Sequence, residues 1–161
     1  MSLSDNVRQQ LQGLQSNRLP TSVRTSDAAG VQIRLDVTSI DSMSCEFMEL
    51  ELFVPSLRDA DFALVKKWAL KLSERVTYLL EDIGPLEFDE DRGEALMRST
   101  PPNRTDAGAS FFEVILSTAG NGSFSLKRYE SRSGAGRQQV PIVLTREVLL
   151  KLVDDLLATA P

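Results

Sequence analysis

Alternating apolar and polar residues predict two β-strands in the first third of the chain. In 31–37 and again in 48–54, every second residue is Val, Ile, Leu or Met, and the residues between them are mostly polar. A period of two is that of a strand with one buried face. The polar stretch 40–44 between the two segments predicts an antiparallel hairpin.

Apolar residues at steps of three and four predict one long helix over 57–83. The stripe consists of Phe62, Val65, Ala69, Leu72, Val76, Leu79 and Ile83. Ser56, with Asp59 three residues later, predicts a capping box at the start of the helix. Gly84 and Pro85 predict its end. Such a helix would be about 40 Å long at 1.5 Å per residue.

Shorter patterns complete a mixed fold. Segment 4–16 predicts an N-terminal helix, and Thr145 is the predicted cap of a C-terminal helix. Four further strands are predicted at 94–98, 111–118, 124–130 and 140–144, and the turn 119–122 joins the second to the third. The predicted order is α-β-β-α-β-β-β-β-α, which is that of an α+β domain in which helices pack on an antiparallel sheet.

The length of the chain fits a single domain over 1–161. It divides into an N-terminal helix (1–18), a hairpin plus long helix (31–83), and a four-strand meander plus C-terminal helix (92–158). No stretch reaches the roughly 18 apolar residues of a membrane span, and the N-terminus lacks the apolar core of a signal peptide. We therefore expect a cytoplasmic protein with no membrane partner.

The chain contains no histidine and a single cysteine, Cys45. Histidine is the side chain that most easily acts as acid or base near neutral pH, and it is the commonest metal ligand. Its absence excludes Ser-His-Asp and Cys-His catalysis and His-based metal sites. We predict no metal, no cofactor and a non-enzymatic role, with an enzyme that uses carboxylates, Lys or Tyr as an alternative. Cys45 follows no basic residue and precedes Glu46, so it is predicted to be a structural thiol.

A second row of residues on the predicted long helix predicts a partner surface. Leu64, Trp68 and Tyr78 belong to this row, and Leu64 and Tyr78 point well away from the centre of the apolar stripe at 100° per residue. If the stripe faces the sheet, these three side chains need another cover, and a protein partner or a second copy in a homodimer would provide it. Cover by another segment of the same chain is the alternative.

The middle of the chain is basic and predicts an anion-binding rim. Residues 92–146 hold eight Lys and Arg against four Asp and Glu, whereas the whole chain has a net charge of −5. The loops 99–109 and 131–139 bracket two meandering strands and should lie at the same end of the sheet. The arginines that these loops would gather are Arg98, Arg104, Arg128, Arg132 and Arg137. Gathered guanidinium groups suit phosphate or carboxylate recognition, and solvated mobile loops are the alternative.

One face of the predicted meander carries aromatic and basic residues. It consists of Phe111, Ile115, Lys127 and Tyr129, opposite a face of Phe112, Val114, Phe124 and Leu126. We expect a helix to cover that face and to make Phe111 and Ile115 part of the core. The order β-β-β-β-α over 94–158, with the run Phe111-Phe112-Glu113-Val114…Gly122-Ser123-Phe124-Ser125-Leu126-Lys127, resembles the PUR repeat of single-strand nucleic-acid binders. The resemblance implies single-strand binding in which exposed aromatic residues stack on bases.

The sequence favours a non-enzymatic cytoplasmic domain that works through protein–protein contacts. The first alternative is single-stranded nucleic acid bound by 92–146, although the sequence pI of about 4.8 disfavours an anionic partner. The second alternative is the carboxylate, Lys or Tyr enzyme.

Overall fold

The structure, a computed structural model, describes residues 1–106, 108–120 and 122–161. Ala107 in the predicted loop 99–109 and Asn121 in the predicted turn 119–122 lie outside the described residues. Within the described ranges the chain forms three α-helices and ten β-strands, which confirms the α+β class and, approximately, the predicted order. The helices are α1 (Leu3–Gln12), α2 (Phe62–Arg75) and α3 (Arg146–Thr159). The strands are β1 (Thr21–Ser26), β2 (Gln32–Ile40), β3 (Ser44–Phe53), β4 (Ile83–Asp89), β5 (Glu94–Ser99), β6 (Asn103–Thr105), β7 (Gly108–Ser117), β8 (Ser123–Arg132), β9 (Gly136–Val140) and β10 (Ile142–Thr145).

All of these strands belong to one antiparallel sheet. Its main path is β1-β2-β3-β8-β7-β5-β4, and β6, β9 and β10 pair with β7, β8 and β3 respectively. The predicted hairpin forms as β2 and β3, and the two central meander strands pair as β7 and β8. The sequence patterns missed β1, β4, β6 and β9. Segment 94–158 therefore contains β6 and β9 in addition to the four predicted strands, and its last strand, β10, pairs with β3.

The sheet divides where β3 and β8 separate. Residues 50–53 of β3 pair with 123–126 of β8, and beyond this point each strand has a different neighbour. In this region β9 pairs with β8, whereas β10 pairs with β3. Pro141 stands between β9 and β10, outside both ladders, where its missing N–H breaks no strand pairing. We call the space between the two branches the fork.

One layer of helices covers one face of the sheet, which we call the core face. α1 contacts β1, α2 contacts β4, β5 and β7, and α3 contacts β3 and β10 as well as the other two helices. Trp68 on α2 is only 1% exposed. Its indole Nε1 donates to Thr159 Oγ1 of α3 at 2.9 Å, and its ring centroid lies 6.0 Å from that of Phe124 on β8. This one side chain thus joins two helices to the sheet.

The predicted long helix is wrong in its length. Its helical part is only α2, and the N-cap is Asp61, whose carboxylate accepts a backbone hydrogen bond at 3.0 Å. Ser56 lies in a separate 3₁₀ turn, Pro55–Leu57. Asp59 has a φ of 55°, a left-handed conformation that cannot continue a helix from that turn. The predicted capping box therefore does not form.

The C-terminal part of the predicted stripe is irregular or extended. Val76 leaves the helix with φ −91° and ψ 85°, and Ile83 begins β4. Val76, Leu79 and Ile83 are nevertheless buried in the core. The β-branched pair Val76 and Thr77 has a low helix propensity, and Leu80 has a φ of 67°, which ends any helix. Apolar residues at helical spacing therefore indicate here which side chains are buried, but they do not indicate that the backbone is helical.

The two terminal helices have the caps that their sequences favour. Ser2 and Asp5 form a capping box on α1, which ends at Gln12, four residues earlier than predicted. Thr145 caps α3 as predicted, since its Oγ1 accepts a hydrogen bond from the N–H of Val148 at 3.1 Å.

We call the other face of the sheet the open face, because its side chains stay partly exposed. The predicted alternation is confirmed, but Phe111 and Ile115 lie on this face and no described helix covers them, so their assignment to the core is wrong. Charged residues on this face pair with one another. Arg34 forms an ion pair with Glu49, and Lys127 Nζ lies 3.4 Å from the same carboxylate.

Replacing Leu72 by Ala should lower the free energy of unfolding by about 2–5 kcal/mol, because Leu72 is 3% exposed and truncation leaves a cavity. Leu70→Ala on the same helix is the matched control, since Leu70 is 53% exposed and its loss should change stability by about 0.5 kcal/mol or less. Urea unfolding of both variants measures the difference. Equal losses would contradict the orientation of α2.

Candidate functional site

Four planar side chains form a row across the open face. Phe111 and Tyr129 are cross-strand neighbours on β7 and β8, with ring centroids 5.9 Å apart and ring planes inclined at 30°. The guanidinium carbon of Arg98 on β5 lies 5.1 Å from the Phe111 centroid. The guanidinium carbon of Arg137 on β9 lies 4.0 Å from the Tyr129 centroid. We call these four residues the arginine–aromatic row.

A buried carboxylate holds both ends of the row. Arg98 Nε donates to Glu113 Oε2 at 3.0 Å, and Arg137 Nη1 donates to the same oxygen at 2.6 Å. The Glu113 side chain is 6% exposed. Because two cations share one anion, the row keeps one unit of positive charge. Both terminal nitrogens of Arg98 have no partner among the described residues.

Three of the five arginines predicted to bind an anion share the open face. Arg104 is paired with Ala109 on β7, and Ser131 on β8 is paired with Arg137. Ala109 and Ser131 are themselves opposite each other, and directly opposed residues point to the same face. Arg104, Arg137 and Arg98 therefore lie on the same face of the sheet.

The other two arginines lie elsewhere. Arg132 is exposed at the end of β8, where its Nε donates to Glu130 Oε1 at 2.7 Å. Arg128 points to the core face, two residues after the buried Leu126, and its Nη2 donates to Glu81 Oε2 at 2.8 Å. Arg128 does not join the other arginines, because alternate residues of a strand point to opposite faces.

The aromatic rings of the row have neighbours on both sides. Phe111 lies between Arg98 and Tyr129, and Tyr129 lies between Phe111 and Arg137. A nucleic-acid base could stack on either ring only after displacing a guanidinium group or separating the rings. The row is therefore less suited to base stacking than the bare sequence pattern implied.

A hollow of about 500 Å³ adjoins the row at Phe111, and we call it the edge hollow. Arg98 and Arg104 contribute its positive charge, while Leu86 and Pro101 contribute apolar wall. Arg104 is exposed and has no ion-pair partner among the described residues. This is a concave site with two cations on an otherwise apolar and neutral lining.

A second concavity, of about 680 Å³, lies beside the fork, and we call it the fork groove. The five consecutive residues 141–145 line it, together with 78–81 and Phe112. Successive residues of a strand point to opposite faces, so a groove lined by all of them runs along the edge of β10. Glu81 and Arg128 also line the groove and neutralise each other.

The edge of β10 that faces the groove has no partner strand among the described residues. Just past its end, the N–H of Arg146 donates to the carbonyl of Met43 at 2.9 Å. Hydrogen-bonded pairs alternate along an antiparallel ladder, so Leu144 and Ile142 also bond to β3. The N–H and C=O of Val143 therefore point away from β3 and toward the groove.

Two exposed apolar side chains flank this edge. Leu80 is 98% exposed at its positive φ, and Val143 is 61% exposed. A bulky residue in the left-handed region costs about 1–3 kcal/mol and persists only where the surroundings impose it. Exposed apolar side chains that line one groove are typical of an interaction site.

The residues of the predicted partner surface do not share one surface. Trp68 lies in the core under α3, which fits the alternative of cover by the same chain. Tyr78 is half-buried and lines the fork groove, whereas Leu64 is exposed on α2. Contact of these three residues with one partner surface would require α3 to move away from Trp68.

A buried carboxylate network links α2 to α3 beside the groove. Tyr78 OH donates to Asp155 Oδ2 at 2.6 Å, and Arg75 Nε donates to Asp155 Oδ1 at 2.9 Å. Lys151 Nζ lies 3.3 Å from the same carboxylate. Burial acts to raise the pKa of Asp155, but the hydrogen bonds from Tyr78, Arg75 and Lys151 more than offset it, and the pKa is lowered. Asp155 is thus an ionised structural acceptor and a poor proton acceptor at neutral pH.

The remaining candidate chemistry is weak. Cys45 is fully buried, and burial raises the pKa of its thiol to about 11, which suits a structural residue and not a nucleophile. In the part of the chain that the structure describes, no group of three or more Cys, Asp or Glu side chains is placed to hold a metal ion. Nor is any described helix both long and apolar enough to cross a membrane.

No protein-family model matches this chain, and neither do curated proteins or solved structures. A function must therefore be argued from the geometry of the two concavities and the row.

Sequence reasoning missed the residues that make the fork groove. Pro141 lies in the predicted strand 140–144, and because proline is confined to the edges of sheets it was the one available signal that Val143 lies at an edge. Leu80 carried no signal, because it lay inside the predicted helix. The Glu113 centre was also missed, since a single Glu within an apolar strand does not reveal which arginines will reach it.

Asp155→Asn should lower the free energy of unfolding at pH 7, and the difference from the wild type should shrink in acid. The folded-state pKa of Asp155 lies below its ordinary value of 3.8, so the ionised carboxylate stabilises the fold above that value. This contribution is lost as the pH falls through the lowered folded-state pKa. Urea unfolding at pH 7 and in steps below about pH 4 measures it. Asp154→Asn, at an exposed neighbour, is the control, and a constant difference between wild type and Asp155→Asn would contradict the network.

Proposed function

We propose that this chain is a non-enzymatic cytoplasmic binding domain that takes an extended segment of a partner protein into the fork groove. The observation that supports the proposal most is the edge of β10, which pairs with no strand among the described residues and lines a groove flanked by exposed apolar side chains. An unpaired edge offers backbone hydrogen bonds to any added strand.

The free edge fits a short added strand. Val143 offers both its N–H and its C=O, and alternation along β10 gives the same direction to the C=O of Pro141 and the N–H of Thr145. The five residues 141–145 span about 17 Å at 3.3 Å per residue. The partner segment is therefore about five residues long in its paired part.

The lining of the groove selects the side chains of the partner. Phe112 and Leu79 are buried apolar residues at the base, and Leu80 and Val143 present apolar surface at the rim. The ion pair between Glu81 and Arg128 leaves the groove without a net charge from these two residues. An uncharged segment with apolar residues at alternate positions matches this lining, because charged side chains would lose hydration there without gaining a partner.

Val143→Pro should abolish strand addition while leaving the pairing with β3 in place. Proline removes the N–H that points into the groove, and a strand position whose N–H is unpaired tolerates proline. Val143→Thr is the matched control, because it keeps both the N–H and a β-branched side chain. Five- to nine-residue peptides selected from a random library on the wild type should bind Val143→Thr with similar affinity and Val143→Pro about tenfold or more weakly, measured by calorimetry.

Thermal unfolding of both variants provides the folding control. If no peptide is selected by the wild type, the proposed function is wrong. If selected peptides bind Val143→Pro as well as they bind the wild type, strand addition at β10 is wrong. If light scattering shows that the wild type is a dimer and Val143→Pro a monomer, the occupant of the groove is a second copy of the chain.

A further inference from the structure

We propose that the edge hollow binds a small phosphate ester that carries a ring, with the chemistry and size of a mononucleotide. The hollow lies on the open face and shares no lining residue with the fork groove, so this site is independent of the proposed function. The charge of the hollow, its apolar wall and its size each favour such a ligand.

The charge of the hollow calls for an anion. Arg104 borders the hollow with a guanidinium group that no described carboxylate neutralises. Arg98 donates only its Nε–H to Glu113, so its two terminal nitrogens can donate to a ligand. Glu113 is already shared between Arg98 and Arg137, so it cannot neutralise both cations. A phosphate monoester carries up to two negative charges and accepts several N–H bonds from arginines.

The wall of the hollow calls for an apolar, flat group next to the anion. Leu86 is half-exposed on the edge strand β4, and Pro101 and Pro102 follow β5. Together with Phe111 they give the hollow its apolar lining. A ring placed there removes the exposed surface of Leu86 from water, while the attached phosphate reaches Arg98 and Arg104.

The size of the hollow and the arginine–aromatic row favour a single nucleotide over a long nucleic-acid strand. About 500 Å³ lies within the roughly 300–1,000 Å³ of small-molecule sites. A strand that crossed the open face would need free ring faces on Phe111 and Tyr129, and Arg98 and Arg137 cover them. A free mononucleotide and the phosphorylated end of a strand share this chemistry, and the experiment below separates them.

The test is a titration of the ¹⁵N-labelled 161-residue chain with AMP at low salt, followed by NMR. We expect saturable shifts at the backbone amides of 98–104 and 109–111. Arg104→Gln should weaken AMP binding by about tenfold or more, because it removes a charge-assisted contact. Arg24→Gln is the matched control, since it removes one positive charge from the exposed end of the same face, on β1, and should leave the affinity unchanged. Leu86→Glu provides a second variant at an exposed position and should also abolish binding.

Probes of each part of the ligand complete the test. Adenosine and inorganic phosphate should each bind at least tenfold more weakly than AMP. A 5′-phosphorylated oligothymidylate that binds like AMP would identify a strand end as a second source of the same chemistry and would support the site. An unphosphorylated oligothymidylate that binds more tightly than AMP would overturn the proposal in favour of single-strand binding. No AMP binding at low salt, equal losses in Arg104→Gln and Arg24→Gln, or inorganic phosphate binding as tightly as AMP would also overturn it.

Discussion

The apolar side chains of the sheet and of all three helices meet in one layer on the core face, and Trp68 lies in the middle of that layer. Its ring packs near Phe124 and its N–H is satisfied by Thr159, so one residue fixes the distance between α2, α3 and β8. Because the described helices form a single layer, none of them covers the second face of the sheet. That face has to satisfy its own polar groups. It does so through shared carboxylates, with Glu49 between Arg34 and Lys127 and Glu113 between two arginines.

Both candidate sites lie where this arrangement is interrupted. At the fork, β3 and β8 separate, and β10 is left with backbone groups that no described strand uses. At the other end of the sheet, the path from β5 through the prolines 101–102 to β6 creates a hollow beside an arginine that no described carboxylate neutralises. The first site offers backbone hydrogen bonds and apolar surface, which suits an extended peptide. The second offers guanidinium groups beside an apolar wall, which suits a small anionic ring compound. The two sites face opposite sides of the sheet and can act independently.

The sequence predicts the buried residues better than it predicts the elements that bury them. The hairpin of β2 and β3, the pairing of β7 with β8 and the cap of α3 follow from local patterns, because alternation is the period of a half-buried strand and Thr145 is a favoured N-cap residue. β1 and β9 were missed because they are mostly polar strands held by backbone pairing, with little apolar alternation to detect. The spacing of three and four residues wrongly placed Val76 and Ile83 in a helix. Both side chains are buried, but burial at this spacing does not require helical backbone. The fork groove depends on the pairing of β3 with β10, segments almost 100 residues apart, which no local pattern encodes.

The free edge of β10 is the central claim, and backbone hydrogen exchange tests it most directly. Along β10, alternate backbone N–H groups bond to β3 and the ones between them do not, so neighbouring amides should exchange at different rates. We expect slow exchange for the amides of Ile142 and Leu144, which bond to β3, and fast exchange for the amide of Val143, which points into the fork groove. The measurement needs only the folded protein in deuterated buffer and residue-resolved NMR. Protection of Val143 equal to that of its two neighbours would show that another segment or a second copy already occupies this edge, and would contradict the account.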